Sequence, residues 1–450
     1  MRLGKFLVGF ALLSAGVAQA ASVAIIDSGV DYKHRDLVSK IWTNPQASTT
    51  DGDGKVYSQD THGWNFADSN NQVIDYQYLG TFSADCPKFF DVQGKMQLGT
   101  ATEEEKNWMS AHRADANFIK ELQKFGNFVH GTHVSGISSV ALTTAKLVGM
   151  KIIPTETPGQ MLDAALKFSE EHPEVKSGAA NNPLALMFLK MIAGRQATML
   201  VTVGKYTAAL HAGVANGSFG TSVHAAEPIV AGLLKNLIGH DPTPEETHDY
   251  TIYFVTEITT AMKAFPAASP QTFFVFAAGN DGTDNDALPA SPANIKADNT
   301  IAVAATLGVQ KLATFSNFGA TMVEVAAPGV VINSTIPGDQ YMALSGTSMA
   351  APYVTNVAAR VKESNDALTP GQIKQVLIGT VDVKVWLQGK VTSSGIVNPE
   401  RAIHAALLTK TMSVTDAIGH SKVEVADVQD ARKLDFDDSE LFVMPLPSTL

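Results

Sequence analysis

Short apolar runs that end in polar residues recur along this chain, and they constrain its fold more than any other feature. One run, 23–26, ends in Asp27 and a glycine turn, and another, 273–278, ends in Gly279 and Asn280. Runs of this kind are typical of strands buried on both faces of a parallel sheet. They alternate with segments of helical character. The pattern therefore predicts a three-layer α/β/α fold with a mostly parallel central sheet.

The first twenty residues predict a secretory signal peptide. Arg2 and Lys5 precede an apolar run from Phe6 to about Ala15, and the stretch ends in a small-x-small cleavage signature at 18–20. We therefore expect a secreted or periplasmic protein. Cleavage there leaves six residues before Asp27, so we expect no N-terminal propeptide.

Composition limits the possible partners. The 450 residues are 45% hydrophobic, enough for one large core with insertions. Removing Arg2 and Lys5 takes Lys and Arg from 33 to 31 against 44 Asp and Glu, a net charge of about −13. This acidic balance argues against nucleic acid and anionic membranes as partners.

The segment 184–203 is apolar but contains Lys190 and Arg195, so we predict a core helix followed by a strand and no membrane span after signal removal. The only cysteine, Cys86, excludes an intrachain disulfide, and we predict a loop or partly buried thiol.

One serine stands out as a candidate nucleophile. Ser348 lies in the stretch 346–352, where Gly346 lets the backbone approach a ligand without interference from a Cβ atom. The run that follows predicts a buried helix with Pro352 in its first turns. A helix start supplies free N–H groups and a positive dipole end, which would stabilise an oxyanion on an attacked carbonyl. The alternative is a small-residue turn before an ordinary core helix.

A serine nucleophile needs a base and an acid that orients the base. Asp27 ends the first apolar run, and His130 and His133 lie three residues apart at an apparent helix start. Asn280 could donate its amide to the same oxyanion. Asp31, beyond the glycine turn, is the rival to Asp27.

These motifs, in the order acid, base, serine, resemble the subtilisin-like serine peptidases, or subtilases. The resemblance implies that Asp27 orients the base, His130 is the general base, Ser348 is the nucleophile and Asn280 is an oxyanion donor. His133 would then be structural. The resemblance also implies a subtilisin-like topology and a serine endopeptidase that cleaves polypeptides through an acyl-enzyme, with no cofactor required for the chemistry.

The segment 214–220 resembles the substrate-binding strand of that family, which pairs with an extended peptide. The resemblance assigns substrate binding to five residues: Ser218, Phe219, Gly220, Ala278 and Gly279. An ordinary strand followed by a glycine turn is the alternative.

The predicted peptidase domain, 21–408, carries two insertions, near 72–129 and 158–209. In the first, a capping box at Thr102 predicts one helix that runs to Phe125 and stops at Gly126. In the second, we predict helices at 161–172 and 183–194. Each insertion either packs on the flank of the domain or borders the cleft and narrows the substrate range.

Residues 409–450 predict a solvated acidic tail, in which 423–428 alternates like an edge strand.

A cluster of carboxylates suits structural calcium, which binds several oxygen ligands. Asp51 and Asp53 lie on a glycine turn, and Asp60 follows. A turn without metal is the alternative.

A second function class is a non-catalytic peptide-binding protein, a pseudoprotease that keeps the cleft but not turnover. A lipase or esterase is disfavoured, because the Gly-x-Ser-x-Gly elbow does not occur at Ser348.

Overall fold

The computed structural model describes residues 22–156, 160–176, 182–429 and 447–448, so the predicted signal peptide lies outside the described residues. The strands are β1 (Ser22–Asp27), β2 (Ser48–Thr50), β3 (Val56–Ser58), β4 (Gly63–Asn65), β5 (Lys146–Lys151), β6 (Ala212–Gly217), β7 (Thr221–Ser222), β8 (Phe273–Ala277), β9 (Ala290–Ser291), β10 (Thr300–Leu307), β11 (Lys311–Leu312), β12 (Val325–Pro328), β13 (Ile332–Ile336), β14 (Gln340–Leu344), β15 (Asp382–Val383) and β16 (Gly395–Ile396).

The α-helices are α1 (Asp85–Gln97), α2 (Glu103–Arg113), α3 (Ala116–Ser138), α4 (Gln160–Glu171), α5 (Pro183–Ala209), α6 (Val223–Leu237), α7 (Pro244–Met262), α8 (Ala264–Ala267), α9 (Thr347–Ser364), α10 (Pro370–Gly379), α11 (Pro399–Leu408) and α12 (Val414–Glu424). Short 3₁₀ turns lie at Tyr76–Tyr78, Pro173–Lys176 and Val385–Leu387.

A ten-stranded sheet divides the helices into two layers. Its order is β15-β16-β12-β10-β8-β6-β1-β5-β4, with β11 paired to β10. All pairs along it are parallel except β10–β11 and β15–β16. The prediction of a three-layer α/β/α fold with a mostly parallel sheet is confirmed.

Alternate residues of β1 belong to opposite cores. Val23 and Ile25 pack in the core that holds side chains of α3 and α9, whereas Ala24 and Ile26 pack in the core that holds side chains of α5, α6 and α7. Side chains of successive strand residues point to opposite faces, so an uninterrupted apolar run fills both layers.

Four neighbouring strands end at the same edge of the sheet. Asp27 closes β1 opposite Lys151, the last residue of β5. Gly217 closes β6, and Ala277 closes β8. In sheets of this kind, ligands bind beyond the carboxyl ends of the strands.

The predicted helix from Thr102 to Phe125 is two helices, and the prediction of one helix is wrong. The capping box at Thr102 forms as predicted, but α2 ends at Arg113. Asp115 then caps α3, because its carboxylate accepts the N–H group of Asn117 at 2.9 Å. The predicted stop at Gly126 is also wrong, since α3 continues to Ser138 with apolar neighbours of Gly126 buried.

In the second insertion, α4 matches the predicted helix at 161–172, but α5 extends to Ala209, well beyond the predicted end. The prediction of a strand within 184–203 is wrong, because the whole segment is helical. Helix α5 is long and apolar enough to cross a membrane by length and composition, and 44% of its most apolar window is buried. A core helix of a soluble protein meets the same criterion, and one side of α5 contributes Phe188, Leu189 and Leu200 to a core. The absence of a membrane span stays a prediction.

The predicted edge strand at 423–428 is wrong. Ser413 caps α12, whose Ser421 hydroxyl donates to the carbonyl oxygen of Arg401 at 2.6 Å. The first part of the predicted tail is thus packed on α11. Cys86 is likewise not a loop thiol, because it lies in α1 and is fully buried. Burial raises the pKa of its thiol to about 11.

Candidate active site

The proposed acid and base form a buried hydrogen-bonded pair. Asp27 Oδ1 lies 2.7 Å from His130 Nδ1 and also accepts the N–H group of Ser28 at 2.7 Å. Because an ionised carboxylate only accepts hydrogen bonds, this contact places a proton on Nδ1 and leaves Nε2 of a neutral ring as an acceptor. A general base requires that orientation.

Gly131 lets α3 approach the turn after β1. A Cβ atom built on Gly131 would lie 2.2 Å from the carbonyl oxygen of Gly29 and 3.1 Å from Asp27 Oδ1. The first distance is too short for any side chain, and the second is tighter than most Cβ contacts. The close backbone contact therefore sets the separation between Asp27 and His130.

Both histidines lie in the interior of α3, so the expectation of a helix start there is wrong. The helix starts at Ala116, fourteen residues before His130, because Asp115 caps it. His133 is fully buried, and its Nε2 lies 2.9 Å from the carbonyl oxygen of Met342. Burial lowers the pKa of His133 to about 3, and this neutral contact with β14 fits the predicted structural role.

The rival acid, Asp31, is bound elsewhere. Its two carboxylate oxygens accept the Tyr76 hydroxyl at 2.7 Å and the N–H group of Gly338 at 2.9 Å. The carboxylate that contacts His130 is that of Asp27.

The proposed nucleophile starts a helix, as predicted. Ser348 is the second residue of α9, with Gly346 at the N-cap position and Pro352 inside the helix. Its side chain is buried, and its Oγ lies 3.5 Å from the carbonyl oxygen of Ser218. The Ser218 hydroxyl in turn donates to the carbonyl oxygen of Ser348 at 2.9 Å. These two contacts with Ser218 hold the nucleophile next to the carboxyl end of β6.

Thr347 fixes the orientation of the Asn280 amide. Asn280 Oδ1 accepts the N–H group of Thr347 at 2.9 Å and its hydroxyl at 2.8 Å. A backbone N–H can only donate, so the amide oxygen must face Thr347. A Cβ atom on Gly346 would lie 3.3 Å from Asn280 Nδ2 and 3.6 Å from the backbone nitrogen of Ser348. The absence of that atom leaves space beside both proposed oxyanion donors.

Two buried atoms of the acid–base pair have no hydrogen-bond partner among the described residues: Asp27 Oδ2 and His130 Nε2. His130 and Ser348 line one cavity of about 390 Å³. Buried polar atoms without partners are unusual and are found at catalytic sites. His130 Nε2 is thus available for a proton from a group in the cavity.

Residues that sequence reasoning did not assign to the site complete the cavity. Besides His130, Ser348 and Asn280, the cavity is lined by Phe90, Gln93, Gln123, Gly126, Asn127, Val129, Thr221, His224, Ala225, Pro228, Ile229, Leu344, Ser345, Met349, Pro447 and Ser448. The first insertion contributes residues of α1, and residues of α3 that precede His130, to the cavity walls. No described residue of 160–209 lines this cavity. The insertion is covalently continuous with His130, and that proximity was the only sequence signal for its position.

A model of the subtilase family matches residues 18–401. The chain belongs to the subtilase family. This match covers both acid and base as well as the serine, and it confirms the family resemblance found in the motifs.

Named subtilase relatives align with a limited part of this chain. Alkaline elastase YaB from Bacillus sp. (strain YaB) is 40% identical over 138 residues, 30% of this chain and 34% of the relative. An extracellular protease from Xanthomonas campestris pv. campestris is 39% identical over 150 residues, 31% of this chain and 25% of the relative. Subtilisin Savinase from Lederbergia lenta is 38% identical over 136 residues, 30% of this chain and 48% of the relative. The matched stretches thus span a quarter to a half of these relatives' own lengths.

Two solved structures are similar over most of the chain. A cold adapted subtilisin-like serine proteinase is 18% identical, with a TM-score of 0.46, over 84% of this chain and 86% of that one. A lanthipeptide protease is 15% identical, with a TM-score of 0.46, over 85% of this chain and 86% of that one.

The predicted substrate-binding residues of this subtilase lie around the nucleophile. Ser218, Phe219 and Gly220 connect β6 to β7, and the Gly220 N–H group donates to the carbonyl oxygen of Pro447 at 3.0 Å. Ala278 and Gly279 follow β8, and the Gly279 N–H group donates to the Thr347 hydroxyl at 3.2 Å. All five residues are buried, and Phe219 packs in the core that holds side chains of α5, α6 and α7, so their role in substrate binding stays a prediction.

The predicted calcium ligands are engaged by protein donors. Asp51 accepts the Tyr57 hydroxyl at 2.9 Å, Asp60 accepts the Tyr206 hydroxyl at 2.6 Å, and Lys205 bonds Asp53. Within the described parts of the chain, no three His, Cys, Asp or Glu side chains are grouped to hold a metal ion. The donor set as it stands does not fit a cation, and structural calcium stays a prediction.

Proposed function

We propose that this subtilase is a secreted serine endopeptidase that hydrolyses polypeptides through an acyl-enzyme. The observation that carries the proposal is the buried pair of Asp27 and His130, of which His130 lines the same cavity as Ser348. The fixed orientation of the Asn280 amide supports it further.

Each step of the proposed reaction uses a described group. Ser348 Oγ attacks the scissile carbonyl carbon, and His130 Nε2 accepts the hydroxyl proton. Asn280 Nδ2 and the Ser348 N–H group donate to the oxyanion. His130 then protonates the leaving amine, and a water molecule hydrolyses the acyl-enzyme after His130 removes its proton.

The ground-state arrangement fits these roles without a bond between base and nucleophile. Ser348 Oγ is 3.5 Å from the Ser218 carbonyl oxygen, and His130 Nε2 has no partner in the described structure. In free enzymes such catalytic contacts are often long and shorten only when substrate binds. The Asp27 carboxylate stabilises the imidazolium that forms in the transition state.

Backbone groups near Ser348 support extended polypeptides as substrates. Ser218, directly after β6, contacts Ser348, and an extended peptide would pair with the backbone of the residues that follow. Affinity then depends on main-chain hydrogen bonds, and the cavity walls select side chains.

Labelling with a fluorescent fluorophosphonate tests the proposal, because only an activated serine reacts. The wild-type chain should be labelled, and Ser348→Ala should not. Ser345→Ala is the matched control, since Ser345 lines the same cavity but donates to Gln97; it should still be labelled. Peptide hydrolysis by Ser348→Ala should fall by roughly 10⁶, the loss found for the corresponding serine in subtilisin.

The same experiment distinguishes an endopeptidase from the pseudoprotease alternative. A chain that binds peptides but is neither labelled nor hydrolytic would be a binding protein, and the endopeptidase proposal would be wrong.

Secretion rests on the predicted signal peptide at 1–20 and on the name of the Xanthomonas campestris relative, an extracellular protease. N-terminal sequencing of the exported protein should give Ala21 as the first residue. Protein that stays in the cytoplasm with Arg2 and Lys5 retained would contradict it.

A further inference from the structure

A distant part of the chain lies in the proposed substrate cleft. Pro447 and Ser448 line the cavity that holds His130 and Ser348. Their contacts are specific: the Gly220 N–H group donates to the Pro447 carbonyl oxygen at 3.0 Å, and the hydroxyls of Thr221 and Ser448 are 2.8 Å apart.

These contacts use groups that substrate binding requires. Gly220 follows β6, whose neighbouring residue Ser218 contacts the nucleophile. A peptide that adds to this edge needs backbone donors such as the Gly220 N–H group. While that group bonds to Pro447, a substrate cannot use it.

The cavity around Pro447 suits an apolar, proline-containing segment. Most of its walls are apolar, with Phe90 from α1 on one side and Ile229 from α6 on another. Proline has no N–H group and a fixed φ, so it costs little conformational entropy to hold in an extended form. A segment with these properties can accept a bond from Gly220 without leaving an unpaired donor of its own.

We infer that Pro447 and Ser448 act as an intramolecular ligand of the cleft and compete with substrate. The inference rests on the proposed function, because inhibition is defined only for an active peptidase. Tethering gives such a segment an effective concentration of about 1 mM. If its intrinsic dissociation constant is about 0.1 mM, the free fraction of the cleft falls about tenfold.

The test uses the full chain with a recognition site for a site-specific cysteine protease inserted after residue 435. The protein is purified intact, cut, and separated from the released segment. Cutting should raise kcat/KM for a short peptide about tenfold and the rate of fluorophosphonate labelling by a similar factor. The control is the chain without the inserted site, incubated with the same protease.

Binding provides a second readout that does not depend on turnover. A fluorescent peptide with the sequence of residues 440–450 is titrated into the cut chain carrying Ser348→Ala, which prevents hydrolysis. We expect saturable binding to the cut chain and at least tenfold weaker binding to the uncut chain. A scrambled peptide of the same composition is the matched control.

The outcomes separate the two proposals. If cutting changes neither kcat/KM nor labelling, and the peptide binds cut and uncut chains alike, the inference is wrong while the proposed function stands. If neither form is labelled, the proposed function is wrong, and the peptide titration alone decides whether the segment occupies the cleft. Equal binding of the scrambled peptide would also overturn the inference.

Discussion

Protonation of His133 should make the folded state lose stability in mild acid. His133 is fully buried against the Met342 carbonyl, and burial lowers its pKa to about 3, whereas an unfolded histidine titrates near 6.5. Between these values the unfolded chain binds a proton that the folded chain excludes. The contribution of His133 is therefore fully present above about pH 6.5 and is lost as the pH falls toward about 3.

The magnitude follows from these two pKa values. Between pH 7 and pH 5, exclusion of this one proton should lower the free energy of unfolding by about 2 kcal/mol. His133→Gln removes the titrating ring but keeps a side-chain N–H that can donate to the Met342 carbonyl oxygen. Its own packing cost is the same at both pH values, so it cancels from the comparison.

The assay is equilibrium urea unfolding followed by tryptophan fluorescence, at pH 7 and pH 5. All chains carry Ser348→Ala so that self-digestion does not distort the curves. The decrease in the free energy of unfolding from pH 7 to pH 5 should be about 2 kcal/mol smaller in His133→Gln than in the parent. His420→Gln, which removes an exposed histidine on α12, should leave the pH difference unchanged. If His133→Gln and the parent lose equal stability, His133 titrates alike in both states and the reasoning is refuted.

Four further predictions concern the site. Asn280→Ala should lower kcat by about 10²–10³ with little change in KM, measured by peptide hydrolysis; a loss as large as that of Ser348→Ala would show that Asn280 is structural. Gly346→Ala should also lower kcat, because its Cβ atom would lie 3.3 Å from Asn280 Nδ2, and an unchanged kcat would exclude an oxyanion site there. Phe90→Leu should enlarge the cavity and raise activity on folded proteins more than activity on short peptides. If both activities change by the same factor, the first insertion only packs on the flank of the domain and does not restrict the cleft. A chelator should lower the Tm if the turn at Asp53 binds calcium, with a smaller shift in Asp53→Asn; no shift in the wild type would mean a metal-free turn.

The parts of the fold that local chemistry determines could be predicted from the sequence. The apolar run before Asp27 fills two cores at once, and only a strand buried on both faces does so. Ser348 lies in the first turn of a helix whose N-cap is Gly346 and whose following residues are buried and apolar, as the sequence predicts. The sequence therefore predicts which residues lie near this helix start.

Other features depend on competition between local signals. The capping box at Thr102 predicts a helix start correctly, but Asp115 is an equally good cap and begins a second helix. Gly126 is a weak stop, and burial of the residues around it overrides its low helix propensity. The contacts of Pro447 with Gly220 join segments far apart in sequence, and no periodic pattern marks such a pairing.

The contact between Gly131 and Gly29 locates α3 on β1 through main-chain atoms alone. The side chains of Thr132 and His133 hold the same part of α3, through the N–H group of Asp31 and the carbonyl oxygen of Met342. The helix can accordingly be extended at its N-terminal end, where this chain adds residues from the first insertion, without displacing the base from Asp27. Residues added at that end line the cavity that His130 shares with Ser348, so they change its walls and leave the contact between His130 and Asp27 in place.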